Sequence, residues 1–536
     1  MYSKKLFMLG FTAAGGAASM LTGCTDKQEE KRMNIIYIMC DDHSYQTISA
    51  YDNRYLETPN IDRIAEMGAT FTRSYVANSL SGPSRACMIT GKHSFANGFL
   101  DNETTFDGDQ QTFPKLLQQA GYQTAMVGKW HLVSRPQGFD FWKILNGQGE
   151  YYNPNILSAT DTVKMTGYAT DVITDIALDW IDGRDKEKPF CLLLHHKAPH
   201  RSWEPDTQDL ELFSDTDFPL PDNFYDDFEG RTAAGLSEMS IAEDMSLTRD
   251  LKIKPEVIGE PARPRMGMFR DRYTPEQRAA WNAHYDRVNE EFAKADPQGE
   301  ELVQWKFNQY MRDYLRCITS VDRNVGRVLD YLEENDLMDN TVIVYTSDQG
   351  FYMGEHGWFD KRFMYEESMR TPMLVYYPGG VKGEVDHLVQ NIDHAATFLE
   401  VAGVEVPSDI HGESLLPIYK GKNPKKWRDA LYYHYYEFPS EHAVRKHFGI
   451  RTDRYKLIRF YWDERDEKKI DRAWGLKDRE MALQQVNEWE LYDLQEDPGE
   501  MNNIYGQPGT EELTATLKAK LKDLQASYGE AEFWCE

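Results

Sequence analysis

The sequence predicts an α/β protein with a mixed, largely parallel sheet flanked by helices and a smaller C-terminal α+β subdomain. Uninterrupted apolar runs, typical of strands buried on both faces, alternate with amphipathic stretches from about residue 33 to 380. After about residue 427, strand-like segments follow one another without helices between them, which indicates a separate antiparallel sheet.

Four apolar runs are predicted as strands of the main sheet, at 34–40, 190–195, 341–346 and 372–377. Amphipathic helices are predicted at 112–120 and 321–335. Residues 201–300 form an acidic excursion, most irregular over 201–260, which we expect to pack over the rim of the sheet. The C-terminal sheet is predicted from 430–436, 449–452, 455–461 and 489–493, with a covering helix at 511–528.

The chain is strongly acidic. Its 536 residues include 88 Asp and Glu against 60 Lys and Arg, a formal net charge of −28. This balance excludes a nucleic-acid-binding protein, because phosphate contacts require clustered Lys and Arg. It also disfavours adhesion to an anionic membrane surface. An anionic substrate would therefore need a local cluster of positive charge.

The N-terminus has the pattern of an export signal. Two lysines precede a short apolar stretch, and Leu21-Thr-Gly-Cys24 resembles a bacterial lipobox. The apolar stretch is shorter than a membrane span requires. We therefore expect residues 1–24 to be a lipoprotein signal peptide, with a lipid on Cys24 as the chain's sole membrane attachment, and residues 25–32 to be a tether. The implied location is the periplasm or the cell surface of a Gram-negative bacterium.

Carboxylates follow two of the predicted strands. Asp41 and Asp42 come directly after the 34–40 run, and Asp348 and Gln349 follow the 341–346 run. Ligands of open α/β sheets bind at the carboxyl ends of strands, and three carboxylates with one amide oxygen suit Ca²⁺ or Mg²⁺. For either pair alone, the alternative is turn or helix-cap chemistry.

The stretch from Ser79 to Gly91 has the features of a helix that begins at an anion site. Pro83 suits the first turn and Gly91 the end of a helix, which places Ser81 just ahead of the N-terminus, where backbone N–H groups favour an anion. Arg85 adds a guanidinium suited to oxyanions. From this stretch alone, helix capping by Ser81 is the stronger interpretation.

Further basic residues follow other predicted strands. Lys129 and His131 follow an apolar segment with the character of a strand. His200 follows the 190–195 run, and Lys361 lies 13 residues beyond Asp348. Each of them alone is explained as a solvated surface charge. Together with Arg85 they predict one anion bound beside one metal ion.

These motifs together resemble the type I sulfatases. Ser81-Gly-Pro-Ser-Arg85 followed by Thr90-Gly fits the family signature C/S-x-P-S-R-x-x-x-x-T-G. Asp-Asp, G-K-W-H, A-P-H and S-D-x-G recur in the family's order over about residues 33–378. The resemblance implies an alkaline-phosphatase-like fold, with a sulfatase catalytic domain at 33–425 and an antiparallel-sheet subdomain at 426–536.

In that family the first signature residue is oxidised after synthesis to formylglycine, whose hydrate attacks the sulfur. The resemblance implies a Ca²⁺ site, with Mg²⁺ as the alternative ion, held by Asp41, Asp42, Asp348, Gln349 and position 81. It also implies a role for each basic residue: Arg85 supports the hydrated aldehyde, Lys129 and Lys361 bind the sulfate, His131 orients or deprotonates the nucleophile, and His200 protonates the leaving oxygen.

The chain departs from the commonest family pattern at two positions. The signature residue is Ser81 rather than Cys, which implies an anaerobic formylglycine-generating radical maturase as a partner, and hence an anaerobic bacterial source. An unmodified serine would stall at the sulfate ester, because it has no second hydroxyl to expel the sulfate. Gln349 stands where Asn or His is more usual, so its amide oxygen lies one methylene further out.

The segment after the second carboxylate pair resembles the D-K-R-x-x-Y-E stretch of N-acetylglucosamine-6-sulfatases. Asp360 and Arg362 flank Lys361 and would hydrogen-bond sugar hydroxyls, although a local salt bridge is the alternative for each. His447 would reach the pocket from the C-terminal portion. The resemblance implies hydrolysis of the 6-O-sulfate of glucosamine or N-acetylglucosamine units in sulfated oligosaccharides of heparan or heparin, keratan or mucin type.

Three alternatives stay open from the sequence. The first is a sulfatase for another carbohydrate sulfate, such as galactosamine 6-sulfate. The second is a phosphodiesterase or phosphonate monoester hydrolase, because that superfamily shares the metal site. The third is a glycan-binding lipoprotein without activity, against which the complete set of nucleophile and basic residues argues.

Overall fold

The computed structural model describes residues 32–261 and 270–530. The predicted signal peptide, Cys24 and residues 25–31 of the predicted tether lie outside the described residues. The strands are β1 Asn34–Cys40, β2 Ala69–Phe71, β3 Ser74–Tyr75, β4 Gln123–Gly128, β5 Phe141–Leu145, β6 Asn155–Leu157, β7 Thr162–Lys164, β8 Phe190–His195, β9 Thr341–Ser347, β10 Arg370–Thr371, β11 Met373–Tyr376, β12 Gly383–Val385, β13 Val389–Gln390, β14 Ala430–Tyr435, β15 His447–Thr452, β16 Tyr455–Phe460 and β17 Glu488–Asp493.

Helices occupy much of the remaining chain. They are α1 Pro59–Met67, α2 Ser81–Thr90, α3 Ser94–Asn97, α4 Phe113–Gln119, α5 Ala169–Gly183, α6 Thr232–Gly235, α7 Pro275–Ala295, α8 Glu300–Glu334, α9 Glu366–Met369, α10 Asp393–Val401, α11 Leu416–Tyr419, α12 Glu464–Ile470, α13 Arg479–Ala482 and α14 Glu511–Tyr528. No helix in the described ranges has both the length and the apolar character that a membrane crossing requires.

A ten-stranded sheet in the order β12-β2-β11-β9-β1-β8-β4-β5-β6-β7 is the main sheet of the protein. β1 runs parallel to β8 and β9, and β4 runs parallel to β8 and β5. β11 runs antiparallel to β9, and β6 runs antiparallel to β5 and β7. Every residue of β1, β8 and β9 is buried, so these strands have apolar side chains on both faces. The prediction of a mixed, largely parallel sheet is confirmed.

Helices cover both faces of this sheet. Alternate residues of β1 point to opposite faces, so Ile36 and Ile38 pack with α1, α5 and α8, whereas Ile35 and Tyr37 pack with α2, α4 and α10. The ends of the central strands are therefore held from both sides by apolar packing.

The helix predicted at 321–335 is the second half of a longer one. α8 begins at Glu300, and its first half buries aromatic side chains that include Phe307, Tyr310 and Tyr314. The Tyr314 hydroxyl donates a hydrogen bond to the carbonyl oxygen of Asp42 at 2.6 Å. The half of the helix that the sequence prediction missed thus supports the end of β1.

Residues 201–261 of the acidic excursion are mostly irregular and lie against the loop that follows β9. The Ile241 amide donates to the Gly357 carbonyl at 2.8 Å, and the Phe359 amide donates to the Met239 carbonyl at 3.1 Å. The later part of the predicted excursion contains the regular helix α7. The irregular part therefore borders the loop that carries Lys361.

The C-terminal part is a four-stranded antiparallel sheet in the order β14-β15-β16-β17, covered by α14. The helix has the predicted bounds, and the predicted antiparallel sheet is confirmed. The face of the C-terminal sheet that α14 does not cover packs Tyr433, Tyr435 and Ile458 against Trp358 and Phe363, which follow β9. The D-K-R segment thus lies between the two sheets.

Gly128 ends β4 immediately before Lys129, at a φ of +101°, and a Cβ there would lie 1.9 Å from the carbonyl oxygen of His195. Gly128→Ala is expected to lower the free energy of unfolding by about 2 kcal/mol or more, because both conformation and space oppose a side chain. Chemical denaturation measures the change. The control Gly98→Ala, at φ +77° with open space around it, should lose only about 1 kcal/mol. Equal losses would show that conformation alone requires the glycine.

Candidate active site

The carboxyl ends of the adjacent strands β9, β1, β8 and β4 meet at one edge of the sheet. This edge gathers most of the predicted site residues: Asp41, Asp42, Ser81, Arg85, Lys129, His131, His200, Asp348, Gln349 and Lys361. All of them are buried except His131 and His200, which are partly exposed. Among these predicted residues, the two whose side chains reach solvent are thus the predicted proton-transfer groups.

Three carboxylates lie close together at the ends of β1 and β9. The Asp42 amide donates to Asp348 Oδ1 at 3.1 Å, and Asp41, Asp42 and His200 place ligand atoms within 4.8 Å of one another. Burial, reinforced by the charge of Asp41, raises the pKa of Asp348 to about 7. Burial also raises the pKa of Asp42, despite the nearby ammonium of Lys361. The cluster therefore needs additional positive charge to keep its carboxylates ionised.

Each carboxylate has its own cationic partner from a different segment. Lys129 Nζ contacts Asp41 Oδ2. Lys361 Nζ lies 2.7 Å from Asp42 Oδ2, and Arg85 donates from Nε and Nη2 to Asp348 Oδ2 at 3.0 and 2.9 Å. For Asp41, the charges of Lys129, His200 and Arg85 outweigh burial and hold the pKa of that carboxyl well below its usual range.

Ser81 occupies the centre of this arrangement. α2 begins at Ser81 itself, so the helix starts one residue earlier than predicted, and Leu80 is the N-cap residue. The Ser81 hydroxyl donates to Asp41 Oδ1 and accepts from Gln349 Nε2, both at 3.1 Å. Its partners are thus side chains of the predicted metal site, and helix capping does not explain its position.

The residues present fit a bound divalent cation. Gln349 Nε2 donates to Asp42 and Ser81, while its Oε1 is buried without a hydrogen-bond partner among the described residues. An orphaned amide oxygen beside three carboxylates is disfavoured unless a cation or another donor satisfies it. Carboxylate and amide oxygens are the ligands that Ca²⁺ and Mg²⁺ prefer.

The two histidines lie on the open side of the cluster. His200 Nδ1 lies 2.7 Å from the Arg201 carbonyl oxygen and so donates to it, which leaves Nε2 facing Asp42 Oδ2 at 3.8 Å. Burial lowers the pKa of both His200 and His131, and the neighbouring ammonium of Lys129 lowers that of His131 further. In both rings the neutral form is therefore favoured, and the negative charge of a bound anion would favour the protonated form.

Gln148 joins this group although the sequence prediction missed it. Its Oε1 accepts from Lys129 Nζ at 2.6 Å, and its Nε2 donates to His131 Nε2 at 3.1 Å. A glutamine in an exposed, polar loop carries no sequence signal that would distinguish it from other loop residues. Its position emerges only when the loop after β5 folds over the end of β4.

The D-K-R segment forms a second network beside Lys361. Asp360 Oδ2 lies 2.9 Å from His442 Nε2. Arg362 Nη1 donates to Glu437 Oε1 at 2.9 Å, whereas its closest approach to Asp360 is 3.6 Å. The local salt bridge considered from the sequence is thus secondary, because each side chain has a closer partner in the C-terminal part.

The prediction that His447 lines the pocket is wrong in this structure. His447 begins β15, has no exposed surface, and packs against the rings of Phe363, Tyr433 and Tyr435. His442, five residues earlier and outside the strand, contacts Asp360 instead. The sequence did contain this histidine in the same segment, but nothing in the pattern showed which of the two leaves the core.

Comparisons with known proteins agree with this geometry. A family model described as "Sulfatase" matches residues 33–404, and one described as "N-sulphoglucosamine sulphohydrolase, C-terminal" matches residues 354–473 and 462–527. An N-acetylglucosamine-6-O-sulfatase of Bacteroides thetaiotaomicron is 48% identical over 96% of this chain and 90% of the relative. An arylsulfatase of Clostridium perfringens is 25% identical over 92% and 94% of the two chains.

A solved structure shares both fold and sequence with this chain. The structure of BT4656, in complex with its substrate D-glucosamine-2-N,6-O-disulfate, superposes with a TM-score of 0.86 at 49% identity, covering 93% of this chain and 98% of the other. The mixed sheet with its C-terminal antiparallel sheet is therefore the alkaline-phosphatase-like fold of the solved sulfatases. On the family model and on this similarity, the chain belongs to the sulfatase family and hydrolyses sulfate esters.

Proposed function

We propose that this sulfatase removes the 6-O-sulfate from glucosamine or N-acetylglucosamine units of sulfated glycans. The observation that carries the proposal is the 48% identity, over 96% of the chain, to an N-acetylglucosamine-6-O-sulfatase. The site supports it, because Asp360, Arg362 and His442 place polar groups directly beside Lys361. A carboxylate next to a guanidinium suits a pair of adjacent sugar hydroxyls.

Two groups would complete the site. Asp41, Asp42, Asp348 and Gln349 would hold a Ca²⁺, which would supply positive charge beside position 81. Formylglycine derived from Ser81 would supply a hydrated aldehyde, with one hydroxyl to attack sulfur and a second to release the sulfate. The contacts of Ser81 with Asp41 and Gln349 support this assignment, because they hold its oxygen against the proposed ligands.

The chain's own residues would then perform charge stabilisation and proton transfer. Lys129 and Lys361 flank the carboxylates and would neutralise the sulfuryl oxygens. His200, oriented by the Arg201 carbonyl, would take up a proton at Nε2 once the anion binds and pass that proton to the leaving sugar oxygen. His131 would receive the proton of the attacking hydroxyl at Nε2, in place of its hydrogen bond from Gln148. Arg85 would hold Asp348 in place from the buried side.

The cellular setting belongs to the same proposal. The lipobox ending at Cys24 supports an exported lipoprotein on the periplasmic side or surface of an anaerobic Gram-negative bacterium. Ser81 at the signature position supports an anaerobic radical maturase as the partner that generates formylglycine. Sulfated oligosaccharides would reach the protein there.

A substrate panel tests the proposed specificity. Protein coexpressed with a maturase is expected to release sulfate from N-acetylglucosamine 6-sulfate with a kcat/KM at least about tenfold above that for galactosamine 6-sulfate, and far above that for a bis-aryl phosphodiester.

Asp360→Asn should lower kcat/KM on the 6-sulfated sugar by about 10- to 100-fold while changing hydrolysis of a small aryl sulfate little. A preference for the diester, or equal losses on sugar and aryl sulfate, would contradict the proposal.

The state of Ser81 can be measured directly. Peptide mass spectrometry of protein made with the maturase is expected to show the loss of two hydrogen atoms at residue 81, and protein made without it should keep serine and be nearly inactive. Ser81→Ala should lose activity by about 10³-fold or more, because no nucleophile remains. Full activity in a preparation whose Ser81 is unmodified would overturn the formylglycine assignment.

Metal removal is expected to abolish turnover and lower the Tm, because the buried carboxylates would lose their counter-charge. A metal present at 100 times its Kd would contribute about 2.7 kcal/mol to stability. Added Ca²⁺ should restore both quantities. Gln349→Met, which removes the amide oxygen at similar length, should weaken the apparent Ca²⁺ affinity by about tenfold or more. An unchanged Tm in metal-free protein, verified by elemental analysis, would refute the metal site.

A further inference from the structure

The connection between β16 and β17 is unusually long for two neighbouring antiparallel strands. β16 ends at Phe460 and β17 begins at Glu488, although such strands are commonly joined by two to five residues. The intervening residues, which we name the 461–487 connection, contain α12 and α13. Long connections within compact domains are commonly functional.

The 461–487 connection is anchored to the wall of the active site. The Lys477 and Asp478 amides donate to the Glu238 carboxylate at 2.8 and 2.7 Å. Glu238 in turn pairs with His442 through both backbone and ring: its amide donates to the His442 carbonyl at 2.7 Å, and its carbonyl lies 2.6 Å from His442 Nδ1. Because His442 also contacts Asp360, the connection borders the proposed sugar site.

The connection packs against the rest of the protein at residues 470 and 482, whereas residue 474 between them is exposed. Ile470 and Ala482 are buried against Phe438. Between them Trp474 is 62% exposed, an unusual environment for the largest apolar side chain. The next residue, Gly475, lies so close to Glu441 that a Cβ on it would be 2.8 Å from the Glu441 Cβ. Trp474 is therefore held at the rim, one residue from the contact with the segment that carries His442.

The connection also lies near the loop of residues 101–104, which contacts the residue that follows Ser81. Burial and the charges of Asp101 and Glu437 raise the pKa of Glu103, and the Lys469 ammonium opposes this shift, so Lys469 lies near that loop. In the same loop, Asn102 Oδ1 accepts from the Gly82 amide at 3.2 Å, next to Ser81. The connection thus spans the rim from the 101–104 loop to His442.

We propose that the 461–487 connection forms an outer subsite, in which the Trp474 indole stacks on a sugar ring of the glycan chain beyond the sulfated unit held at Asp360 and Arg362. The inference rests on the proposed function, since it assigns a second sugar of the same substrate. A sugar ring presents an apolar C–H face that suits an exposed aromatic side chain. Trp474 has the exposure that such contact requires, and the close approach of Gly475 to Glu441 places its backbone beside the segment that carries His442.

Chain-length dependence of the kinetics tests the outer subsite. Wild type, Trp474→Ala and Trp474→Phe, each matured at residue 81, are assayed on N-acetylglucosamine 6-sulfate and on a tetrasaccharide with that unit at its non-reducing end. Trp474→Ala is expected to lower kcat/KM on the tetrasaccharide by about three- to tenfold, while activity on the monosaccharide stays within about twofold. Trp474→Phe should keep most of the tetrasaccharide activity.

Val163→Ala serves as the control. Val163 is 49% exposed and lies on β7, the edge strand three positions beyond β4 in the sheet, so neither substrate should be affected. An unchanged tetrasaccharide kcat/KM in Trp474→Ala, or an equal loss on both substrates, would overturn the outer subsite. If wild type hydrolyses neither 6-sulfated substrate but does hydrolyse an aryl sulfate, the proposed specificity fails instead.

Discussion

Three aspartates at the adjoining ends of β1 and β9 have almost no contact with water, and the surrounding structure compensates for that burial. A buried carboxylate without a partner is strongly disfavoured, so each needs a cation or donors of its own. Lys129 comes from the end of β4, Arg85 from α2 and Lys361 from the loop after β9. Because these segments are far apart in the chain, the charges balance only when the strand order of the sheet is in place.

The same compensation places three basic side chains against three buried carboxylates in an otherwise acidic protein. The net charge of −28 resides largely on the solvated surface, and the buried acidic groups at the site are paired. The lysines that hold Asp41 and Asp42 are the groups that would also meet a sulfate. An anionic substrate is therefore compatible with the acidic composition, since attraction depends on the local arrangement rather than on the total charge.

The C-terminal sheet contributes directly to the site. Glu437 holds Arg362, and His442 holds Asp360, so both flanking residues of Lys361 are oriented by the C-terminal part. Glu437 also accepts from the Asn102 amide, whose side chain binds the Gly82 amide beside Ser81. One chain of hydrogen bonds thus links the D-K-R segment to the start of α2.

Local sequence patterns were enough to predict β1, β8, β9 and β11 of the main sheet, the C-terminal helix, and most of the residues that meet at one edge of the sheet. These are carried by local patterns: apolar runs for doubly buried strands, and short motifs at strand ends, where parallel strands bring side chains together. Tertiary structure alone decided that Gln148 bridges Lys129 and His131, that His442 rather than His447 meets Asp360, and that Trp474 stands at the rim. Those three outcomes depend on how loops pack against distant segments, and a loop's contacts leave no periodic signal in its own residues.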